Sequence, residues 1–179
     1  MGKRLTIGSE APDFPIDSPW HGKTSFYEVS DGRPAVVVFG RYLGCPICQM
    51  QMDDLKQGIS ALTSRGANVF YVLQSTNETL TSVSRESDWP FEVVTDPEAK
   101  IFSAYAVPYG NPLKLVGPGL GQSMRRMKEK GFKHGKYEGH ETQLPAAFVV
   151  NPDKTIRLAH YAKNIVDMPT PEEIAASLP

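Results

Sequence analysis

Cysteine is scarce in this 179-residue chain, which has two, and so are tryptophan, also with two, and histidine, with four. Two cysteines cannot build the disulfide framework on which a small secreted domain depends. Charge is nearly balanced, 19 basic side chains against 20 acidic, for a formal net charge of −1. No bulk basic surface is left to neutralise a nucleic-acid backbone. A run of about 20 apolar residues is absent, so no membrane-spanning helix is expected. The opening residues MGKRLTIGSE lack the apolar stretch of a secretory leader, and a cytoplasmic location is expected by default. Paired carboxylates with a site around them and a Ser-His-Asp order with motif support are also missing. With 40% hydrophobic residues, the length suits one globular domain, 1–179, with a core of its own.

What is present is concentrated in Phe39-Gly-Arg-Tyr-Leu-Gly-Cys-Pro-Ile-Cys48, which holds both cysteines. The β-branched and aromatic run Ala35-Val-Val-Val-Phe39 reads as a buried strand leading into it. Pro46 suits a first helical position, where its missing N–H leaves nothing unpaired. Apolar positions then recur at Cys48, Met52, Leu55, Ile59 and Leu62, one stripe of a helix. Cys45 falls at or just before the helix N-terminus, where unpaired N–H groups and the helix dipole favour a thiolate. Arg41 in the same loop adds positive charge. Cys48 lies three residues on, close enough to pair. The spacing predicts a nucleophile, Cys45, that solvent can reach, and a resolving partner, Cys48. A structural zinc would need four ligands; the remaining paired candidates, His134 and His140, are spaced wider than a finger pattern, so no metal or other cofactor is expected.

Along the chain, 7–14 reads as extended and 20–27 as a turn followed by a short strand. Arg65-Gly66 ends the CxxC helix. Asn68-Val-Phe-Tyr-Val-Leu73 is a second buried strand, 78–87 a modest helix, and Trp89-Pro-Phe-Glu-Val-Val94 leads into a third strand. A short helix follows over 100–107, with Ile101, Phe102 and Tyr105 inward. Ala146-Ala-Phe-Val-Val150 and Thr155 to Tyr161 form an antiparallel hairpin, and Thr170-Pro171 opens a terminal helix. The segment 108–143, rich in glycine and proline and carrying Arg125, Arg126, Lys128, Lys130, Lys133 and Lys136, reads as an insertion with one short helix. Its length suggests a lid or an oligomer contact, hence a homodimer. Its cations form a solvated face that would guide an acidic reductant or anionic substrate. Its GPGLG lacks the lysine of a phosphate loop and reads as turn glycine.

This order resembles a thioredoxin-like α/β fold, a central mixed sheet flanked by helices. IGSEAPDF, WPFEVVTDPEAKIFSAYAV and QLPAAFVVNPDKTIRLAHYA together resemble the peroxiredoxin-like (AhpC/TSA) proteins, in the subgroup with a CxxC. The resemblance implies an N-terminal peroxiredoxin-type extension and an insertion, 108–143, before the last hairpin. It also implies a thiol-dependent oxidoreductase reducing peroxides or disulfides, with thioredoxin, glutaredoxin or glutathione as reductant. Endoperoxide reduction, as in prostaglandin-processing relatives, and redox sensing without turnover are the alternatives. Peroxiredoxins carry Pro and Thr seven and three residues before the reactive Cys; here Val38 and Tyr42 stand there. The family's later Arg is absent near Pro145, and Arg41 would stand in for it. Pro145 resembles the cis-proline that faces a thioredoxin CxxC.

Overall fold

The computed structural model describes residues 2–111 and 115–179. Residues 112–114 of the expected insertion lie outside the described residues. A two-stranded ribbon of β1 (Pro15–Ser18) and β2 (Gly22–Ser25) precedes a five-stranded sheet. That sheet holds β3 (Ala35–Phe39), β4 (Asn68–Leu73), β5 (Glu92–Thr95), β6 (Ala146–Val150) and β7 (Ile156–Tyr161), in the order β5-β4-β3-β6-β7. β3, β4 and β5 run parallel, whereas β6 and β7 are antiparallel additions on the other side of β3. This is the mixed sheet of a thioredoxin-like fold.

β3 is buried on both faces, and its alternation divides the core. Ala35, Val37 and Phe39 enter one apolar layer, with Phe148, Phe102 and Tyr105. Val36 and Val38 enter the other, with Met52, Leu55, Leu62 and Ile174. A period of two assigns the faces. In the first layer Phe39 meets Phe102 at 5.0 Å and Tyr105 at 5.1 Å between ring centroids, so the last residue of β3 is held by edge and tilted ring contacts.

The helices are α1 (Phe26–Ser30), α2 (Pro46–Gln57), α3 (Ile59–Thr63), α4 (Asn77–Val83), α5 (Lys100–Ala104), α6 (Leu120–Glu129) and α7 (Pro171–Ala176). Two depart from the sequence reading. α1 replaces the end of an expected strand, because Ser25 and Glu28 form a reciprocal capping box. The CxxC helix, expected to run on as one, breaks at Gly58 into α2 and α3. A Cβ at Gly58 would lie 2.5 Å from the side chain of Pro171, so α7 presses on the break.

Gly40 turns the chain from β3 into the CxxC loop. Its N–H continues the ladder to Val72 O at 3.0 Å, and Arg41 O accepts from Gln74 N–H at 2.7 Å. The loop therefore leaves from the carboxyl end of the parallel strands, where β3 lies between a parallel and an antiparallel neighbour, the usual place for a site in an open α/β sheet. A Cβ on Gly40 would sit 2.6 Å from the Tyr71 ring. Gly40→Ala is expected to cost about 1–3 kcal/mol by overpacking, measured by urea unfolding, with part recovered by adding Tyr71→Leu.

Candidate active site

Cys45 is the N-cap of α2. Its sulfur accepts from the Cys48 backbone N–H at 3.4 Å and from Arg41 Nη2 at 2.9 Å. Cys48, one turn deeper, accepts at its sulfur from the Arg41 backbone N–H at 3.2 Å. Arg41 thus binds one cysteine through its side chain and the other through its main chain. Both thiols are free. The structure places these three residues within hydrogen-bond reach of one another.

The two thiols are pushed in opposite directions. The Cys48 thiol hydrogen-bonds the Cys45 sulfur and is the largest influence lowering the Cys45 pKa, to about 6; burial opposes it, and the Arg41 charge, the Cys48 N–H and the Arg41 hydrogen bond add to it. Burial first, then the hydrogen bond to Cys45, raises Cys48 well above an ordinary thiol. Cys45 is the thiolate and Cys48 holds the proton.

The expected solvent access to Cys45 is not found: Cys45 is 0% exposed and Cys48 2%. The inserted segment closes over them. Tyr42, Cys45, Ile47, Cys48, Leu144 and Ile165 form one buried cluster, against which Leu115, Leu120 and Met127 of the insertion pack. Gly135 N–H donates to Gly44 O at 2.8 Å, so backbone meets backbone beside Cys45. A Cβ on Gly44 would lie 2.2 Å from Lys136 O. Gln49 Nε2 bridges Leu43 O at 3.0 Å and Lys133 O at 3.1 Å. Arg41 Nη1 donates to the Glu141 carbonyl and lies 3.8 Å from its carboxylate.

The remaining contacts of the cover were not foreseen. Tyr42 Oη lies 3.1 Å from His134 Nε2. Buried Gln74 accepts from His140 N–H at 2.6 Å and donates to buried Gln143 at 3.0 Å. The signal for the glutamine pair was a polar residue next to or within three positions of an apolar strand run; for Tyr42 and His134, 92 positions apart, sequence held none. The basic cluster is exposed for the most part but partly paired: Arg126 of α6 and Lys130 at its C-terminal cap pair with Asp54 and Asp53 of α2, and Lys136 with Glu138 at 3.4 Å. Arg126 and Lys130 thereby hold the insertion against α2.

Pro145 corrects a further expectation. Among the described residues no peptide bond is cis. Pro145 enters β6 as a strand-start proline, its carbonyl accepting from Ala162 N–H at 3.2 Å, and the trans bond is the intrinsically favoured one. It does lie at the site: with Arg41, Cys48, Gln51 and Gln143 it lines a void of about 10 Å³, at the lower limit of what holds one water. Among the described residues no three His, Cys, Asp or Glu side chains gather as a metal site, and no helix is long and apolar enough to cross a membrane. The Cys45 thiolate is expected to titrate near pH 6 by ultraviolet absorbance, and its stabilising effect to be full above the ordinary thiol value of 9.0 and lost as pH falls through about 6. In Arg41→Met the midpoint should rise toward about 8.5.

Peroxidoxin BcpB of Mycobacterium tuberculosis superimposes with a TM-score of 0.68 at 10% identity, over 97% of this chain and 96% of that one. A thiol:disulfide interchange protein, DsbE, of Chlorobium tepidum superimposes with a TM-score of 0.55 at 17% identity, over 87% and 85%. At such identities the likeness is one of fold. In sequence, peroxiredoxin-like 2C of Bos taurus is 23% identical over 151 residues, 79% of this chain; the chain spans 66% of that relative's length. Residues 7–159 match the AhpC/TSA family, a span that includes the CxxC loop, the whole insertion and all but the end of the sheet: the chain belongs to the AhpC/TSA family.

Proposed function

We propose that this protein is a thiol-dependent peroxidase with a CxxC dithiol. The observation that carries the reading is the Arg41 guanidinium, 2.9 Å from a sulfur sealed from bulk water. In that setting the Cys48 hydrogen bond and the cation together keep Cys45 ionised and ready to attack.

The Cys45 thiolate attacks one oxygen of a peroxide. An S–O bond forms, the O–O bond breaks and the far oxygen leaves as water or an alcohol, leaving Cys45 as a sulfenic acid. Cys48, already hydrogen-bonded to that sulfur, displaces its hydroxyl, so a disulfide forms and water departs. Two electrons from thioredoxin, glutaredoxin or glutathione then restore the dithiol by exchange. A cytoplasmic setting, where those thiol pools are kept reduced, suits the cycle. A bulky reductant must lift the insertion to reach the disulfide; a small peroxide needs only a local opening.

Disulfide exchange is the second reading. The same Cys48 contact, one helical turn from Cys45, suits release of a mixed disulfide, and the fold is shared with DsbE. Turnover separates the readings. With thioredoxin, its reductase and NADPH, peroxide is expected to drive sustained NADPH loss and insulin to drive little. The reverse would favour exchange, and a single stoichiometric oxidation would mark a sensor. Cys45→Ser is expected to abolish turnover, and Cys48→Ser to leave one oxidation that stops at sulfenic acid; oxidation surviving in Cys45→Ser but not in Cys48→Ser would reverse the roles.

A further inference from the structure

Beside the seam that seals Cys45 lies a groove of about 550 Å³, a size suited to a small molecule. Its walls come from the body of the protein and from the insertion. Leu43 belongs to the CxxC loop, Met52 to α2, Val83 to α4 and Trp89 to the segment before β5, whereas Phe132 and Gly135 belong to the insertion. Phe132 is turned toward the body by the end of α6. Gly131 takes a φ of 73°, its N–H donates to Lys128 O at 3.2 Å, and the Phe132 N–H donates to Met127 O at 3.0 Å, the double closure that left-handed glycine gives a helix end. Val83, the last residue of α4, is 66% exposed, so the groove keeps open apolar surface.

The charges around it cancel. Asp53 and Glu78 line the groove, and so do Lys56 and Lys136. Asp53 is already paired with Lys130, and Lys136 with Glu138. Such a lining gives an ionic ligand no net attraction to offset its lost hydration, whereas a neutral ligand gains by every apolar area it buries. The two aromatic walls, Trp89 and Phe132, favour a ring.

We propose that this groove binds a small, neutral, ring-bearing apolar molecule, and that the bound molecule holds the insertion closed over Cys45. The groove is complete only while the insertion is seated. Gly135, in its wall, donates to Gly44 O at 2.8 Å, and Gln49 Nε2, in the facing wall, donates to Lys133 O at 3.1 Å. A ligand that touches both walls binds the closed arrangement better than an opened one and shifts the population toward closure. Cys45 is 0% exposed, so a reagent reaches it through opening. Occupancy of the groove therefore slows the reactions of Cys45 whichever electrophile it takes, and the inference stands apart from the peroxidase reading.

The test uses the reduced full-length protein and N-phenylnaphthylamine, a neutral probe that fluoresces in apolar surroundings. Anilinonaphthalene sulfonate, which has the same rings and a negative charge, is the comparison. The neutral probe is expected to bind saturably and the sulfonate more weakly. With the neutral probe at about ten times its Kd, alkylation of Cys45 by iodoacetamide, followed by mass spectrometry, should slow about tenfold. Val83→Asp, a change at an exposed position outside the cysteine site, should weaken probe binding about tenfold or more and remove the protection, with alkylation in the absence of probe unchanged. Val83→Leu should keep both binding and protection. No saturable binding of the neutral probe, binding that survives Val83→Asp, or a sulfonate that binds as tightly as the neutral probe would overturn the proposal. So would alkylation left unchanged or hastened by saturating probe. Each of these readouts is independent of whether peroxide oxidises the thiols.

Discussion

The contact between the Arg41 guanidinium and the Cys45 sulfur is the constraint on which the site depends. A thiolate without a partner cannot stay ionised in a chamber from which water is excluded, and a guanidinium without one cannot be buried there. Each therefore licenses the other's position. The same arginine reaches Cys48 through its own N–H and Glu141 through its outer nitrogen, so one side chain ties the loop, the helix turn and the insertion to a single point. Low local polarity strengthens each of these interactions relative to an exposed pair.

The sheet sets that point. β3 ends with Phe39 gripped by aromatic rings, and the next residue is a glycine packed so closely on Tyr71 that the loop has one way out. From there Arg41 O is tied to Gln74 at the end of β4. Gln74 in turn holds His140 and Gln143 of the insertion. The strand that aims the cysteines and the strand that anchors their cover are thus adjacent in register.

Much of this was legible in the sequence, and the reasons are local. Ala35 to Phe39 announced a strand by composition, Cys45-Pro46 a helix start, and the Thr170-Pro171 pair the last helix. α1 was missed although Ser25 and Glu28 spelled a capping box, because the preceding residues read as strand. The break at Gly58 was missed because the apolar stripe continues through it; only the packing of α7 exposes it. The burial of Cys45 could not be read at all. A helix N-terminus predicts an electropositive mouth, but whether something covers that mouth depends on contacts between residues as distant as Gly44 and Gly135. The basic run was legible as charge but not as pairing, since Asp53 and Asp54 stand on a different helix. Pro145 read like a proline facing the thiols, and it does line the same void as Cys48, without the bond geometry the likeness implied.

The seam between Gly44 and Gly135 carries a consequence for how such a chain could drift through evolution. Closure there is main chain against main chain, with no side chain in the joint. Neighbouring positions are released from keeping any particular side-chain shape at that joint, whereas at Gly44 even one added carbon meets a carbonyl. Variation among descendants of this sequence should therefore be lopsided along the joint, tolerant at flanking exposed sites and nearly nil at Gly44.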